Sequence, residues 1–170
     1  MPDSTITKKA LANAMKMTMS KKPFHKIRVG DICEECGMNR KSFYYHFKDK
    51  YDLVEWIIYT EMMTVYNSKK LETALELLEA ISCYLYANRT FYINAFDVHG
   101  QNSFREFFSD LLKPMCLEHT KDFFSTKEEQ EVFAEFYADA FLASLEKWLT
   151  YYPNFEPKAY AKLMYLPKDK

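Results

Sequence analysis

Glycine and proline are scarce, at 3 and 6 of 170 residues. With a hydrophobic content of 48%, so few turn-formers exclude a disordered chain and disfavour a turn-rich β fold. Long apolar runs are missing too, and no window approaches the ~18 uninterrupted apolar residues of a membrane span. The first residues carry Lys8, Lys9 and Lys16 within a helical pattern rather than a leader's apolar core. No signal peptide is expected, and the cytoplasm is the expected compartment. No repeat or low-complexity segment occurs. His25, His46, His99 and His119 pair with no acid or nucleophile at a recognisable catalytic spacing, so no enzyme is expected. Asp97 and His99 beside Gly100 fit a polar turn.

Cysteine is sparse as well. Cys33 and Cys36 form a C-x-x-C, which invites a zinc or redox reading. A structural zinc needs four ligands, and Cys83 and Cys116 supply no second pair. The first two also fall on an apolar stripe, where free cysteine behaves as a small hydrophobe. No metal and no cofactor are expected. Net charge is also small, at −1, but it is unevenly spread. Residues 1–50 hold 11 Lys and Arg against 5 Asp and Glu, whereas residues 51–170 hold 12 against 19. A basic head on an acidic body places attraction for polyanions at one end only.

What is present centres on residues 27–50, IRVGDICEECGMNRKSFYYHFKDK. Val29, Ile32, Cys33 and Cys36 recur at helical spacing and predict the buried stripe of a first helix. Gly37 follows where a left-handed C-cap is needed. Asn39 can then cap a second helix, over residues 40–46. Helix, glycine turn and short helix form a helix-turn-helix, whose second helix enters the DNA major groove. Arg40 and Lys41 open that helix, placing forked donors and positive charge where base edges and phosphates would lie. Phe43 and Phe47 are expected in the core. Tyr44 and His46 are either packing residues or phosphate donors, and their place after a basic helix start favours DNA contact.

The rest of the chain reads as helices. Leu11, Ala14, Met15, Thr18 and Met19 share one face of an N-terminal helix, with Phe24 as an anchor beyond it. The resulting three-helix head, about 45 residues, is small enough to need support from a neighbour. Asp49 and Asp52 suit the start of a connecting helix that runs to about residue 66. Lys50 in that first turn is locally unfavourable, which hints at a phosphate contact. The body then offers a stripe of Leu71, Ala74, Leu75, Leu78, Ile81, Ser82 and Leu85, with Tyr92 and Phe96 past a bend near Asn88. Asp97–Ser103 is the clearest turn cluster. A helix from about 103 to 122 contains Pro114. Over residues 128–151, Phe133, Phe136, Tyr137, Ala140, Phe141, Ser144, Leu145, Trp148 and Leu149 recur at intervals of three and four. Ala134, Ala138, Leu142 and Ala143 widen that stripe, so this helix wants cover on two sides, core on one and a second subunit on the other. A short helix from Pro157 to Leu166 is expected to pair with it antiparallel. Aromatics make up 17% of the chain, which suggests large packed side chains or an aromatic-lined cavity. Tyr84, Phe91, Phe107, Phe133, Tyr137 and Phe141 are the candidate lining of an effector site, with plain core as the competing reading.

The run Phe43-Tyr44-Tyr45-His46-Phe47-Lys48-Asp49-Lys50 followed by Leu53, behind an amphipathic first helix, resembles the head of the TetR family of bacterial one-component regulators. The short length and the phrases YDLVEW and GQNSF are similar to a branch of dihydroxyacetone-kinase regulators. The resemblance implies an all-α protein. Its helix-turn-helix head would span residues 1–48 and a connecting helix 49–68. An antiparallel helical bundle over 69–170 would dimerise and bind an effector. It further implies a homodimer reading a palindromic double-stranded DNA operator, controlled by a small molecule or, alternatively, by a partner protein. Carried over by position, DNA contacts fall on Arg28, Gly30, Arg40, Lys41, Ser42, Tyr44, His46 and Lys50. The family commonly has Thr or Ser where this chain has Arg28, so hydroxyl capping is lost there. Gly30 offers no side chain to read a base, which leaves base choice to Arg40 and Lys41.

Overall fold

Spacing of three and four between apolar residues sets the helices of this chain, and the first helix shows how. In a computed structural model describing residues 4–67, 71, 73–98, 103–120 and 124–165, α1 (Ser4–Lys21) buries Leu11, Ala14, Met15, Thr18 and Met19, the expected face. Thr18 keeps its hydroxyl satisfied on that buried side by donating to the Ala14 carbonyl at 2.7 Å. Further helices follow as α2 (Val29–Glu35), α3 (Arg40–His46), α4 (Lys50–Asn67), α5 (Ala74–Ala87), α6 (Arg89–Phe96), α7 (Phe104–Thr120), α8 (Lys127–Tyr151) and α9 (Pro157–Met164). Among the described residues the fold is all-α. None of these helices is long and apolar enough to cross a membrane. The expected turn at Asp97–Ser103 falls mostly on residues 99–102, outside the described residues.

Backbone proximity groups the chain into two compact units, Met1–Thr60 with Thr90–Phe104, and Glu61–Arg89 with Arg105–Lys170. In the first, α1 packs on α2 and α3, and Phe24 is buried beyond the end of α1. The support expected for so small a head comes from residues 90–98, 103 and 104. Tyr92 and Phe96 are buried there. Asn94 Nδ2 donates to the Met19 carbonyl at 3.0 Å, and the Phe104 ring lies edge-on to Phe24 with centroids 5.3 Å apart.

The turn between α2 and α3 is a full Schellman closure. Gly37 has φ +65°, the Met38 N–H donates to the Cys33 carbonyl at 2.8 Å, and the Gly37 N–H donates to the Glu34 carbonyl at 3.2 Å. These bonds satisfy two carbonyls that the helix end would otherwise leave open. Both thiols of the C-x-x-C are used in packing: Cys33 is buried, and Cys36 Sγ donates to the Ile32 carbonyl at 3.3 Å.

In the second unit, α5 and α8 each begin with a reciprocal capping box, Thr73 with Glu76 and Thr126 with Glu129. The buried side of α5 is Leu77, Ile81, Ser82 and Leu85, so Leu77 replaces Leu78 of the expected stripe. The expected partner of α9 was α8. Instead α9 lies along α5, while Tyr160 reaches α8 through a stack on Trp148, centroids 4.1 Å apart. Helix α8 buries Ala134, Ala138, Phe141, Leu142, Leu145, Trp148 and Leu149. Phe136 and Ala140, expected with them, face outward because a stripe this wide covers two sides of a 25-residue helix.

A Cβ built at Gly37 meets nothing within 4 Å, so a side chain there is opposed only by the left-handed backbone. Gly37→Ala is expected to lower stability by about 1–2 kcal/mol in urea denaturation, and Gly37→Asn by less. An alanine variant as stable as the parent would mean that the turn does not need its left-handed residue.

Candidate nucleic-acid interface

The geometry of α3 follows from its cap and its one inward anchor. Asn39 is extended, and its Oδ1 accepts from the Ser42 N–H at 2.8 Å, as its position in the sequence suggested. Phe43 is fully buried against Phe47. With Phe43 inward, Arg40 and Tyr44 line one exposed row of the helix, and Lys41 and Tyr45 the next, at the i, i+4 spacing that brings side chains together. Tyr44 is 57% exposed and Tyr45 80%. Tyr45 was not among the expected contacts, although its spacing from Lys41 carries the signal. His46 is half-buried, packed edge-on to Tyr45 with centroids 4.9 Å apart. Ser42 is half-buried, its amide held by the cap.

Arg28 is the N-cap residue of α2, extended and exposed. A guanidinium carries only donors and cannot cap, so the loss of hydroxyl capping expected here is real. Half of a capping box remains, because the Asp31 carboxylate accepts from the Arg28 N–H at 2.7 Å. The same carboxylate is paired with Lys22 at 2.8 Å. The hydrogen bond from Lys22, then that from the Arg28 backbone, holds the Asp31 carboxyl below its ordinary value. An acid on this basic surface is thereby neutralised by its neighbours. Gly30, two residues after Arg28, lies directly beneath Arg40: an added Cβ would stand 2.7 Å from the Arg40 Nη2. Arg28, Gly30, Asp31, Glu34, Asn39 and Arg40 are among the residues that line a polar trough of 420 Å³.

Lys50 takes a different place from the expected phosphate contact. Its ammonium points into the head, donating to the carbonyls of Phe24 and Ile27, both at 2.9 Å, and lies 4.3 Å from the Phe24 ring centroid. Burial pushes its pKa down. The unfavourable cation in the first turn of α4 is therefore explained inside the protein, where it ties α4 to the segment that leads into α2. Asp49 and Asp52 take the roles expected of them. Asp49 Oδ1 accepts from the N–H groups of Tyr51 and Asp52, and Asp52 Oδ2 accepts from the Lys48 N–H.

The six candidate effector residues are divided. Phe91 belongs to the first unit, buried beneath Lys16 with its Nζ 5.2 Å from the ring centroid. Tyr84, Phe107, Phe133, Tyr137 and Phe141 stay in the second. Phe133, Tyr137 and Phe141 stack in sequence along α8, at 5.9 and 6.4 Å. Burial and a hydrogen bond with Glu61 push the Tyr84 phenol far above its ordinary range, and burial raises the Tyr160 phenol to about 12. Ser82 Oγ is buried without a hydrogen-bond partner among the described residues. Beside the Phe133 end of this stack, Phe124, Thr126, Glu128, Glu129, Val132, Phe133 and Phe136 line an open groove of 720 Å³.

Comparison with known proteins places this geometry among regulators. Residues 10–57 match the family model described as bacterial regulatory proteins, tetR family, and residues 72–166 match one described as transcriptional regulator C-terminal region. A curated relative from Lactococcus lactis subsp. lactis (strain IL1403), the HTH-type dhaKLM operon transcriptional activator DhaS, is 32% identical over 110 residues. The match covers 64% of this chain and 57% of that protein, so the chain spans little more than half of the relative's length. Among solved structures, a dihydroxyacetone kinase operon activator DhaS superposes with a TM-score of 0.74 at 21% identity, covering 94% of this chain and 92% of the other. A regulator of the TerR/AcrR family from Aquifex aeolicus VF5 gives 0.66 at 20% identity, covering 93% and 95%. At these identities the structures share the fold.

The Lys50 contacts predict that Lys50→Met lowers the melting temperature of the whole chain. The same variant is expected to leave unchanged the slope of log affinity for duplex DNA against log salt. Loss of a true phosphate contact would reduce that slope by about 0.9. Asp31, with its carboxyl held low, contributes stability that is present above its ordinary value of 3.8 and lost as pH falls through the lower folded value. Asp31→Asn is expected to flatten the loss of stability below about pH 4, measured by denaturation across pH.

Proposed function

Because the chain belongs to the TetR family of bacterial regulators, we propose that it binds a palindromic operator as a homodimer. On this reading its DNA affinity is set through the second unit. Family membership makes it a transcription regulator and not an enzyme. One observation carries the DNA-binding proposal: the exposed rows Arg40–Tyr44 and Lys41–Tyr45, locked outward by the Gly37 turn, the Asn39 cap and buried Phe43. Arg28, Tyr44, Tyr45 and His46 would hold phosphates and fix the register, while Arg40 or Lys41 reads a guanine edge. Two heads would sit about 34–36 Å apart to meet successive major grooves.

The second side of α8 supports self-association. Val132 and Phe136 are 64% and 68% exposed, and Leu163 of α9 is 67% exposed. Exposed apolar surface of this kind marks an interaction site. An effector bound in the second unit would lower DNA affinity only through its differential affinity for the two dimer states. A partner protein is the second reading: the open groove at Phe124, Val132 and Phe136, with Glu128 and Glu129 on its lining, would then seat that partner in place of the second subunit. Similarity to a protein named as an activator of the dhaKLM operon supports an operon for dihydroxyacetone kinase as the target.

Arg40→Ala is expected to weaken operator binding by about 1–3 kcal/mol while leaving affinity for random duplex nearly unchanged, measured by fluorescence anisotropy. Equal losses on both would remove Arg40 from base reading. Phe136→Asp is expected to give monomers in sedimentation and to abolish tight operator binding. A dimer that survives this change would place the interface elsewhere.

A further inference from the structure

Helix α2 carries a glycine that its backbone does not require. Gly30 is the second residue of α2, and Gly37 is the chain's positive-φ glycine among the described residues. An ordinary helical position prefers alanine over glycine by about 0.5–1 kcal/mol. The structure supplies the missing reason in Arg40. Measured from a Cβ placed on Gly30, Nη2 of Arg40 lies at 2.7 Å, Nε at 3.4 Å and Cζ at 3.5 Å. The guanidinium therefore fills the volume that a side chain at position 30 would occupy, reaching there from the first residue of α3.

We propose that Gly30 is a specificity-determining residue, which acts by leaving open the trough that seats the Arg40 guanidinium and so sets which base edge Arg40 reads. The inference rests on the DNA-binding reading given above. Two physical points support it. An arginine side chain is long, with a large rotamer entropy, and its planar fork discriminates bases only when aimed. Contact with the bare backbone of α2 restricts that freedom before DNA arrives. The trough walls also include Arg28, whose like charge disfavours a guanidinium swung toward it, Asp31, whose carboxylate is already taken by Lys22 and the Arg28 N–H, and Glu34, whose opposite charge favours a guanidinium kept on the trough. A pair spread over two helices thus does the work of a base-reading side chain on α2.

The contact separates stability from specificity, because the crowded atom is the end of a flexible side chain. Adding a methyl group moves the guanidinium and leaves the helices in place. The experiment is selection of bound duplexes from a randomised operator library by the full-length chain, its Gly30→Ala, Gly30→Ser and Arg40→Ala variants, and the double variant Gly30→Ala/Arg40→Ala. Gly30→Ala is expected to melt at or above the parent's temperature and to keep the salt slope. Its base preference should change about tenfold or more at the position where Arg40→Ala loses preference. Gly30→Ser should shift the same position. In the Arg40→Ala background, Gly30→Ala should change nothing further. A sharp parental preference that Gly30→Ala leaves intact, or a shift that persists without Arg40, overturns the inference alone. A parent chain that retains no duplex overturns the DNA-binding reading, and the inference with it.

Discussion

A left-handed turn at Gly37 is the constraint on which the head depends. Only there does the chain reverse between α2 and α3 with both end carbonyls of α2 satisfied. Once the reversal is set, Asn39 falls at the start of α3 and caps it, Phe43 enters the core, and the basic and aromatic rows face outward. Each step leaves the next residue few alternatives. The recognition surface is thus oriented by one backbone angle and one buried ring, and the Arg40 guanidinium is further seated against Gly30 of α2.

The head's geometry is also supported from outside its three helices. Phe24 is the point at which the support converges: Tyr51 and Phe104 both meet its ring edge-on, and the Lys50 ammonium sits over its face. The ammonium also binds the two carbonyls around the short turn that leads into α2. A cation so placed replaces lost hydration with two charge-assisted hydrogen bonds and a ring quadrupole. The N-terminal end of α4, the turn that leads into α2 and Phe104 thereby share one small cluster.

In the second unit, the row of rings along α8 continues through Phe141 to Tyr160, and Tyr160 stacks in turn on Trp148. Trp148 Nε1 donates to the Phe155 carbonyl, and Tyr137 OH to the Met164 carbonyl, so these rings keep their polar ends satisfied while their faces are buried. Polar ties between α7 and α8, Arg105 with Glu146 and Ser109 with Asp139, lie along the same stretch. The aromatic content that suggested either a core or a cavity is used largely as core along α8, and apolar surface remains on the helix's other side.

Local order was legible from residues alone. The glycine turn, the asparagine cap, the acidic start of α4, the buried face of α1 and the inward Phe43 and Phe47 each depend on neighbours within about one helical turn. The width of the apolar stripe on α8 was legible too, because composition fixes it. Which residues face which side was not, since Phe136 and Phe141 read alike until the helix is packed. Lys50 looked like a DNA contact because its partners lie 26 and 23 residues back in the chain. Gly30 looked like a vacancy because the group that fills it comes from another helix. The sequence by itself determined the helices, their caps and the sign of charge at each end. Tertiary structure alone decided where the long cationic side chains point, because a lysine or arginine reaches beyond its own helix and takes its direction from whatever backbone is packed beside it.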